Sequence, residues 1–353
     1  MCSRAQSSLS TCSHKIAAIE KIVQVDIGGR GIGAFTPPEG ELFYAASGLY
    51  DAACSNRDIL ILTGFPCLLD YSPPTETDGP LGAVSIARAV MAVQRQHSGG
   101  RCILVTDACN AKVINMAVQA ANLDSSLVIE TFQPKGTTWT AEEESRLNLL
   151  GRNAAATVAI ERAGPGADGG SYTMRGLDMT HLLAPLERLL SPSVEFGSKE
   201  NAASQTTSHS FVSIGIGDGG NEVGMGKMRD AVLSSTVPMA EKVSCVVPAD
   251  HLIVCGISNW GGTALASALM LLAHNDRRSP DEANAQRNRN FADLAAAWNA
   301  GMPSEEDDTA ILNGMIAAGC RDGCTKLNEA TVDGFPFEKS LQINRDIKAI
   351  FLS

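Results

Sequence analysis

A glycine-rich stretch, SIGIGDGGNEVGMGKM at 213–228, carries side chains that could do chemistry. Residues 215–220 satisfy the G-x-G-x-x-G pattern of dinucleotide-binding loops, in which backbone N–H groups cradle a phosphate. Asp218 and Glu222 would compete for those N–H groups, and their charges would repel a phosphate. The pattern is a weak signal by itself, and these two acids weaken it further. We therefore expect no nucleotide at this loop.

The oxygen atoms of the loop suit a different ligand. Asp218, Asn221 and Glu222 offer the oxygen donors that hard cations prefer, so the candidates are Mg²⁺, Mn²⁺ or a substrate ammonium. Asp218 and Glu222 are the candidate catalytic carboxylates and the candidate metal ligands. Gly219 and Gly220 would let a small substrate approach the backbone closely. An acidic tight turn without a ligand is the alternative interpretation.

A second acidic motif, Glu76-Thr77-Asp78-Gly79-Pro80, precedes a predicted helix. Pro80 suits the first helical position, which places Glu76 and Asp78 at the positive end of the helix dipole. Helix capping is the alternative, but capping explains one acid and not two. Glu76 and Asp78 are therefore further catalytic candidates, and Thr77 is a candidate substrate contact.

Three more residues could hold a small polar substrate. Asn259, in SNWGG, offers a donor and an acceptor beside a predicted helix start, although turn chemistry also explains an asparagine there. Arg30 and Arg175 adjoin glycines and could bind a carboxylate, with an ordinary surface charge as the alternative. Serine-triad and zinc-protease signatures do not occur in the sequence.

Composition excludes several classes of partner. The chain has 353 residues, of which 44% are hydrophobic and 5% aromatic, and its formal net charge is −11. This charge opposes nucleic acid and anionic membranes as partners. The ten cysteines are scattered without zinc-site spacing. They indicate a reducing compartment, so we expect the mitochondrial matrix or the cytoplasm and not secretion.

Short apolar runs alternate with helical patterns, which is typical of βαβ units. We predict an α/β fold with a mainly parallel, doubly wound, Rossmann-like sheet and helices on both faces. Residues 1–19 are expected to be disordered or a weak targeting segment, and 20–353 one domain with polar excursions at 196–210 and 274–290. The predicted strands are Ile59–Thr63, Cys102–Asp107, Leu127–Phe132, Thr157–Arg162, Phe211–Ile216, Lys242–Val247 and Leu252–Gly256.

In such sheets, ligands bind beyond the carboxyl ends of the strands. The acidic motifs and SNWGG all follow predicted strands, so they should meet at one edge. In chain order, TGF, ETDGPLGA, AIERAG, YTMRGLD, IGDGGNEVGMGKM, GISNWGG and ATVDGFP resemble the D-glutamate cyclase C-terminal domain family. The resemblance covers residues from about 20 to 345. It implies a stand-alone version of the domain, without the N-terminal hydro-lyase-like domain of the longer animal proteins.

The resemblance implies a carbon–oxygen hydro-lyase of D-amino acid metabolism that dehydrates D-glutamate to 5-oxo-D-proline. In this hypothesis the α-amine attacks the γ-carboxyl and water leaves. Asp218 or Glu222 would take the ammonium proton or hold Mn²⁺ or Mg²⁺, and Glu76 or Asp78 would supply the complementary acid or further ligands. Arg30 or Arg175 would anchor the α-carboxylate. The N–H groups of 219–220 and 261–262 would stabilise developing charge.

Two other functions stay open at this point. One is a Rossmann-type nucleotide-dependent enzyme that uses residues 215–220 as a phosphate loop. The other is a non-catalytic domain that binds a small amino acid. A small amino-acid ligand is the expected partner, and homo-oligomerisation is left open.

Overall fold

The structure is a computed structural model, and of residues 2–10 it describes the backbone alone. The predicted excursion at 196–210 lies outside the described residues, and so does most of the one at 274–290. The described ranges are 2–97, 100–123, 127–136, 139–191, 211–276 and 293–353.

Six parallel strands form the central sheet, in the order β3-β2-β1-β4-β5-β6. This arrangement confirms the predicted α/β fold with a doubly wound sheet. The strands are β1 (Asp58–Thr63), β2 (Cys102–Asp107), β3 (Val128–Phe132), β4 (Ala154–Ile160), β5 (Val212–Gly217) and β6 (His251–Val254). A separate antiparallel hairpin pairs β7 (Thr331–Val332) with β8 (Phe335–Pro336).

Helices connect the strands, and none in the described part of the chain is long and apolar enough to cross a membrane. They are α1 (Cys2–Val23), α2 (Glu41–Ala53), α3 (Pro80–Gln94), α4 (Ala111–Ala120), α5 (Ala141–Asn153), α6 (Arg229–Leu233), α7 (Ala240–Val243), α8 (Ser258–Asn275), α9 (Leu294–Gly301), α10 (Glu305–Ala317) and α11 (Glu338–Leu352).

The two faces of the sheet bury two different cores. Along β1, Ile59 and Ile61 face the larger core, while Leu60 and Leu62 face the smaller one, as the alternation of a strand requires. The larger core includes side chains of α1, α2, α3 and α8. The smaller core is covered by α5 and by the 3₁₀ turn Leu186–Leu190.

Helices α3 and α8 form the centre of the larger core. In α3 every residue except Arg88 is buried, and α8 is buried from Ser258 to Leu271. A helix that is apolar on all sides needs this position. The two helices touch at Gly82 and Gly262, where a Cβ on Gly262 would lie 2.5 Å from Gly82 Cα. Glycine is therefore needed there for close approach.

The strand order reverses between β1 and β4, so a crevice opens at their carboxyl ends. The loop after β1 contains the motif at 76–80, and the loop after β5 contains Asp218. The chain enters α8 soon after β6. The sheet therefore brings both acidic motifs and SNWGG to one edge, as their positions predicted.

Two sequence expectations differ from the structure. The predicted strand Lys242–Val247 is wrong, because its residues form the end of α7 and an extended segment beside the β5 loop. There the N–H of Cys245 donates to the Gly220 carbonyl at 3.0 Å, and the N–H of Gly224 donates to the Val247 carbonyl at 2.9 Å. Val243 and Cys245 of this run are buried, but they lie outside the sheet, and Val246 is exposed.

The N-terminal segment expected to be disordered or a weak targeting segment, 1–19, falls largely within α1. Cys12, Ile16 and Ile19 of this helix are buried in the larger core. Their spacing of three and four residues is that of one helix face. Helix α10 begins at Glu305, where Ser304 and Asp307 form a capping box.

Candidate active site

A cavity of about 530 Å³ lies at the carboxyl edge of the sheet. Its volume is within the range of small-molecule sites, about 300–1,000 Å³. Its walls come from the loops after β1, β4 and β5, from the loop at 26–35 and from the segment that leads into the β7–β8 hairpin. Six of the predicted site residues line it: Arg30, Glu76, Arg175, Asp218, Asn221 and Glu222.

An ion-pair network around Arg30 joins three distant parts of the chain. The guanidinium contacts Asp218 Oδ1 and lies 2.8 Å from Asp333 Oδ2. Asp26 holds the Arg30 loop by accepting the N–H groups of Arg30 and Gly31 at 2.9 and 2.8 Å. Arg30 is therefore ion-paired with two carboxylates of the protein in this structure. The sequence had predicted that it would bind a carboxylate of the substrate.

Asp218 lies in the cavity wall, and its carboxylate is only partly hydrogen-bonded. It is 3% exposed, and its Oδ2 has no hydrogen-bond partner among the described residues. Burial raises the pKa of this carboxyl well above its usual range, and the Arg30 charge opposes that rise. A buried oxygen without a partner costs free energy. A ligand that donates a proton or carries a positive charge would remove that cost.

Glu222, by contrast, is used to shape the loop. Its Oε1 accepts the N–H groups of Asp218 and Gly219 at 3.0 and 2.6 Å, and its Oε2 accepts the N–H of Gly220 at 2.7 Å. These are the amides that a phosphate or an oxyanion would need, so they are taken. Residues 215–220 therefore have no free N–H groups of this kind to bind the phosphate of a nucleotide. For the same reason, the N–H groups of 219–220 cannot stabilise developing charge as expected.

Asp78 and Asn259 form a reciprocal cap between the starts of two helices. Asp78 accepts the N–H groups of Ser258 and Asn259, both at 2.8 Å, at the start of α8. Asn259 Oδ1 accepts the N–H groups of Gly79 and Gly82 at 3.0 and 2.9 Å, at the start of α3. Each side chain thus satisfies the free N–H groups of the partner helix. Both predicted site residues help to hold the cavity floor in place.

The remaining predicted contacts also lie in this framework. Asn221 Nδ2 donates to the Tyr172 carbonyl at 2.8 Å, and Thr77 Oγ1 donates to the Thr331 carbonyl at 2.9 Å. Thr77, Gly219, Gly220, Asp78 and Asn259 are not among the residues that line the cavity.

Glu161 is a cavity residue that the sequence analysis missed. It follows β4 directly, is 6% exposed, and accepts a hydrogen bond from Ser258 Oγ at 2.6 Å. Its φ of 40° lies in the left-handed region, where a residue with a side chain is strained. The adjacent Arg162 pairs with Asp107 and does not line the cavity. The available signal was an acid at the carboxyl end of a buried strand.

Asp333 was missed for a different reason. Asp-Gly between two short strands is a strong hairpin signal, and Asp333 and Gly334 do form the turn of β7–β8 with φ values of 55° and 82°. The same aspartate lines the cavity and contacts Arg30. The sequence therefore indicates the turn role of Asp333 but not its contact with Arg30.

Carboxylates outnumber cations at the cavity floor. Oxygen atoms of Asp78, Glu161 and Asp218 lie within 4.8 Å of one another. Burial raises the pKa of Glu76 and Glu161 well above the usual range, with neighbouring carboxylates adding to the effect, and burial raises that of Asp78 to about 7. The floor therefore favours either protons or a bound cation.

Two cations line the same cavity without an acidic partner. Neither Arg175 nor Lys326 has a side-chain ion pair within the described ranges, and both contribute to the cavity wall. Arg175 is exposed and Lys326 is half-buried. The cavity thus combines an acidic floor with free positive charges, which complements a ligand with one ammonium and two carboxylates.

Comparison with known proteins identifies the family of the chain. The model of the family described as D-glutamate cyclase-like, C-terminal, matches residues 19–348. The chain is 32% identical over 346 residues to a human protein named D-glutamate cyclase, mitochondrial. The match covers 94% of this chain and 50% of the human protein, so the chain spans about half the length of that relative. The chain belongs to the D-glutamate cyclase-like C-terminal domain family.

Proposed function

We propose that this protein is a D-glutamate cyclase that converts D-glutamate to 5-oxo-D-proline and water. The observation that carries the proposal is Asp218, which lines the cavity and whose Oδ2 is buried without a partner among the described residues. An ammonium group would satisfy this oxygen. The name of the human relative supports the choice of substrate and reaction.

Ring closure moves two protons. The substrate nitrogen loses both as it changes from ammonium to amide, and the departing γ-oxygen gains both as it leaves as water. In this proposal Asp218 takes a proton from the ammonium, which frees the nitrogen lone pair for attack on the γ-carbon. Arg30 pairs with the other oxygen and opposes the burial-induced rise of the Asp218 pKa, which favours the ionised form that acts as a base.

The acid for the departing oxygen has two candidates in the structure. Glu76 and Glu161 both line the cavity, and burial favours the protonated form of each. Asp78 is less suited, because its oxygens accept the N–H groups of Gly79, Ser258 and Asn259. For the α-carboxylate, Arg175 is the better anchor, since Arg30 is already paired.

The residues also fit a divalent cation. Carboxylate oxygens of Asp78, Glu161 and Asp218 lie close together and form an all-oxygen donor set, which suits Mg²⁺ or Mn²⁺. Held by these three side chains, such an ion would supply Lewis acidity toward the γ-carboxyl. Glu222, predicted as a ligand, does not belong to this group of carboxylates.

The test is incubation of the purified chain with D-glutamate or L-glutamate, with added Mn²⁺ or with EDTA, and quantification of 5-oxoproline. Product from D-glutamate under at least one condition supports the proposal, and its loss in EDTA adds the cation. Saturable binding of D-glutamate without product under any condition would indicate the non-catalytic binding domain instead. Absence of both binding and product would reject both functions.

A further inference from the structure

Lys326 occupies an unusual backbone conformation in the cavity wall. Its φ of 63° lies in the left-handed region, although its side chain is unbranched and long. Glycine adopts this conformation without cost, and asparagine tolerates it better than lysine does. A lysine at this position is therefore not explained by the turn that it occupies.

The segment around Lys326 is held firmly. Its N–H donates to the Asp322 carbonyl at 2.8 Å, and its own carbonyl accepts from Arg321 Nη1 at 3.2 Å. The Asp322 carboxylate accepts the N–H groups of Cys324, Thr325 and Gly334 at 2.7, 2.8 and 2.7 Å. The same aspartate thus ties the lysine loop to the hairpin turn. A charge on such a support is pre-organised for a ligand.

The charge of Lys326 is unpaired within the described residues, as is that of Arg175, while Arg30 is bound to two acids. Among the charged groups of the cavity lining, which also include Asp70, Glu76 and Glu161, three could each take one charge of a ligand. They are the free oxygen of Asp218 and the two unpaired cations. An amino-dicarboxylate carries the three complementary charges.

We propose that Lys326 is a specificity-determining residue that binds the γ-carboxylate of the substrate, while Arg175 binds the α-carboxylate and Asp218 the ammonium. This assignment rests on the proposed function, because it takes D-glutamate as the ligand. The planar fork of Arg175 suits bidentate binding of the spectator α-carboxylate. The compact ammonium of Lys326 suits the carboxyl group whose oxygens change charge during the reaction. Three fixed contacts also distinguish the two enantiomers of glutamate.

The experiment measures binding by calorimetry to the wild-type chain and to Lys326→Met, Arg175→Met and Lys112→Met. The ligands are D-glutamate, D-glutamine, which lacks the γ-carboxylate, and D-isoglutamine, which lacks the α-carboxylate. Lys326→Met should weaken D-glutamate and D-isoglutamine by about 10- to 100-fold and D-glutamine by much less. Arg175→Met should show the reverse preference. Lys112 is an exposed lysine of α4, so Lys112→Met controls for the change in net charge.

An equal loss for both amides in Lys326→Met, or no loss for D-glutamate, would overturn the assignment. A second variant, Lys326→Asn, separates binding from folding. It should lose affinity in the same pattern while its Tm stays unchanged or rises, since asparagine relieves the backbone strain. A lower Tm with unchanged affinity would make the lysine structural and overturn the proposal.

The wild-type chain separates this inference from the proposed function. If it binds D-glutamate without forming 5-oxoproline, the cyclase proposal fails, and the pattern across the two amides still decides the role of Lys326. If it does not bind D-glutamate, both proposals are overturned.

Discussion

Two buried aspartate–arginine pairs lie at the same edge of the sheet, and they differ in how completely they are satisfied. Asp107, at the end of β2, accepts from Arg162 through both oxygens and also from the N–H of Ala184 at 2.7 Å. Asp218, after β5, pairs with Arg30 through one oxygen and leaves the other without a partner in the described structure. We call the first pair closed, because both carboxylate oxygens are bonded. We call the second pair open, because one oxygen of a cavity-lining aspartate is not.

The difference separates a structural ion pair from a candidate site. Both side chains of the closed pair are at most 1% exposed, whereas the Arg30 side chain is 26% exposed. A third buried aspartate, Asp308 in α10, has no cation at hydrogen-bond distance in the described residues and accepts only from Asn344 Nδ2, at 2.8 Å. Direct contact with a cation thus decreases from Asp107, with two bonded oxygens, through Asp218, with one, to Asp308, with none in the described residues.

The largest expected effect belongs to the closed pair. Asp107→Asn leaves the Arg162 charge buried without its counter-charge, and we expect a loss of about 3–5 kcal/mol in the free energy of unfolding. Urea denaturation at pH 7 measures it. The half-exposed pair of Glu130 and Arg146 is the control, since Glu130→Gln should cost less than about 1 kcal/mol. Similar losses in the two variants would remove the distinction between closed and exposed pairs.

In the open pair, Asp218→Asn should act on turnover more than on folding. We expect 5-oxoproline formation to fall on the order of 10²-fold or more, because the base is lost. The free energy of unfolding should fall by much less than in Asp107→Asn, because Arg30 keeps Asp333 as a partner and is partly exposed. Initial rates and urea denaturation are measured on the same samples, with exposed Asp230→Asn as control. Near-wild-type turnover would exclude Asp218 from the mechanism.

The smallest effect is a pH dependence of stability at Asp308. Burial raises the pKa of this carboxyl to about 7, above its value in the unfolded chain. The folded state therefore holds the proton more tightly, and stability is greatest below about pH 4 and declines as the pH rises toward about 7. Asp308→Asn should be neutral at pH 4 and stabilising by on the order of 2 kcal/mol at pH 8. Urea denaturation at both pH values measures this, and an equal difference at both would contradict it.

The sequence was sufficient for the fold and for the meeting of the acidic motifs. Near-continuous apolar runs predict strands that are covered on both faces, and the carboxyl ends of parallel strands share one edge. This reasoning placed Glu76 and Asp218 at the cavity. It failed at 242–247, where an equally apolar run covers the β5 loop, because burial against a loop and burial in a sheet give the same pattern.

The role of each site residue depends on where its side chain points, and the spacing of residues along the sequence does not encode that direction. Its position predicts Glu222 as a catalytic residue, but in the structure its carboxylate accepts three backbone N–H groups. Glu161 and Lys326 adopt left-handed backbone conformations that neither residue type suggests. Asp333 reaches Arg30 across more than three hundred residues of chain. These contacts arise from the assembled structure and leave little local signal.

The reciprocal cap of Asp78 and Asn259 has a consequence for the order in which the chain matures. The two residues are separated by 181 positions, and the start of α3 draws its caps from the side chain of Asn259. During synthesis, α3 is made long before that asparagine leaves the ribosome. The cavity floor is therefore completed late in folding, when β6 and α8 dock. An N-terminal fragment that ends before residue 258 would carry both acids of the first motif, but it could not hold them in place.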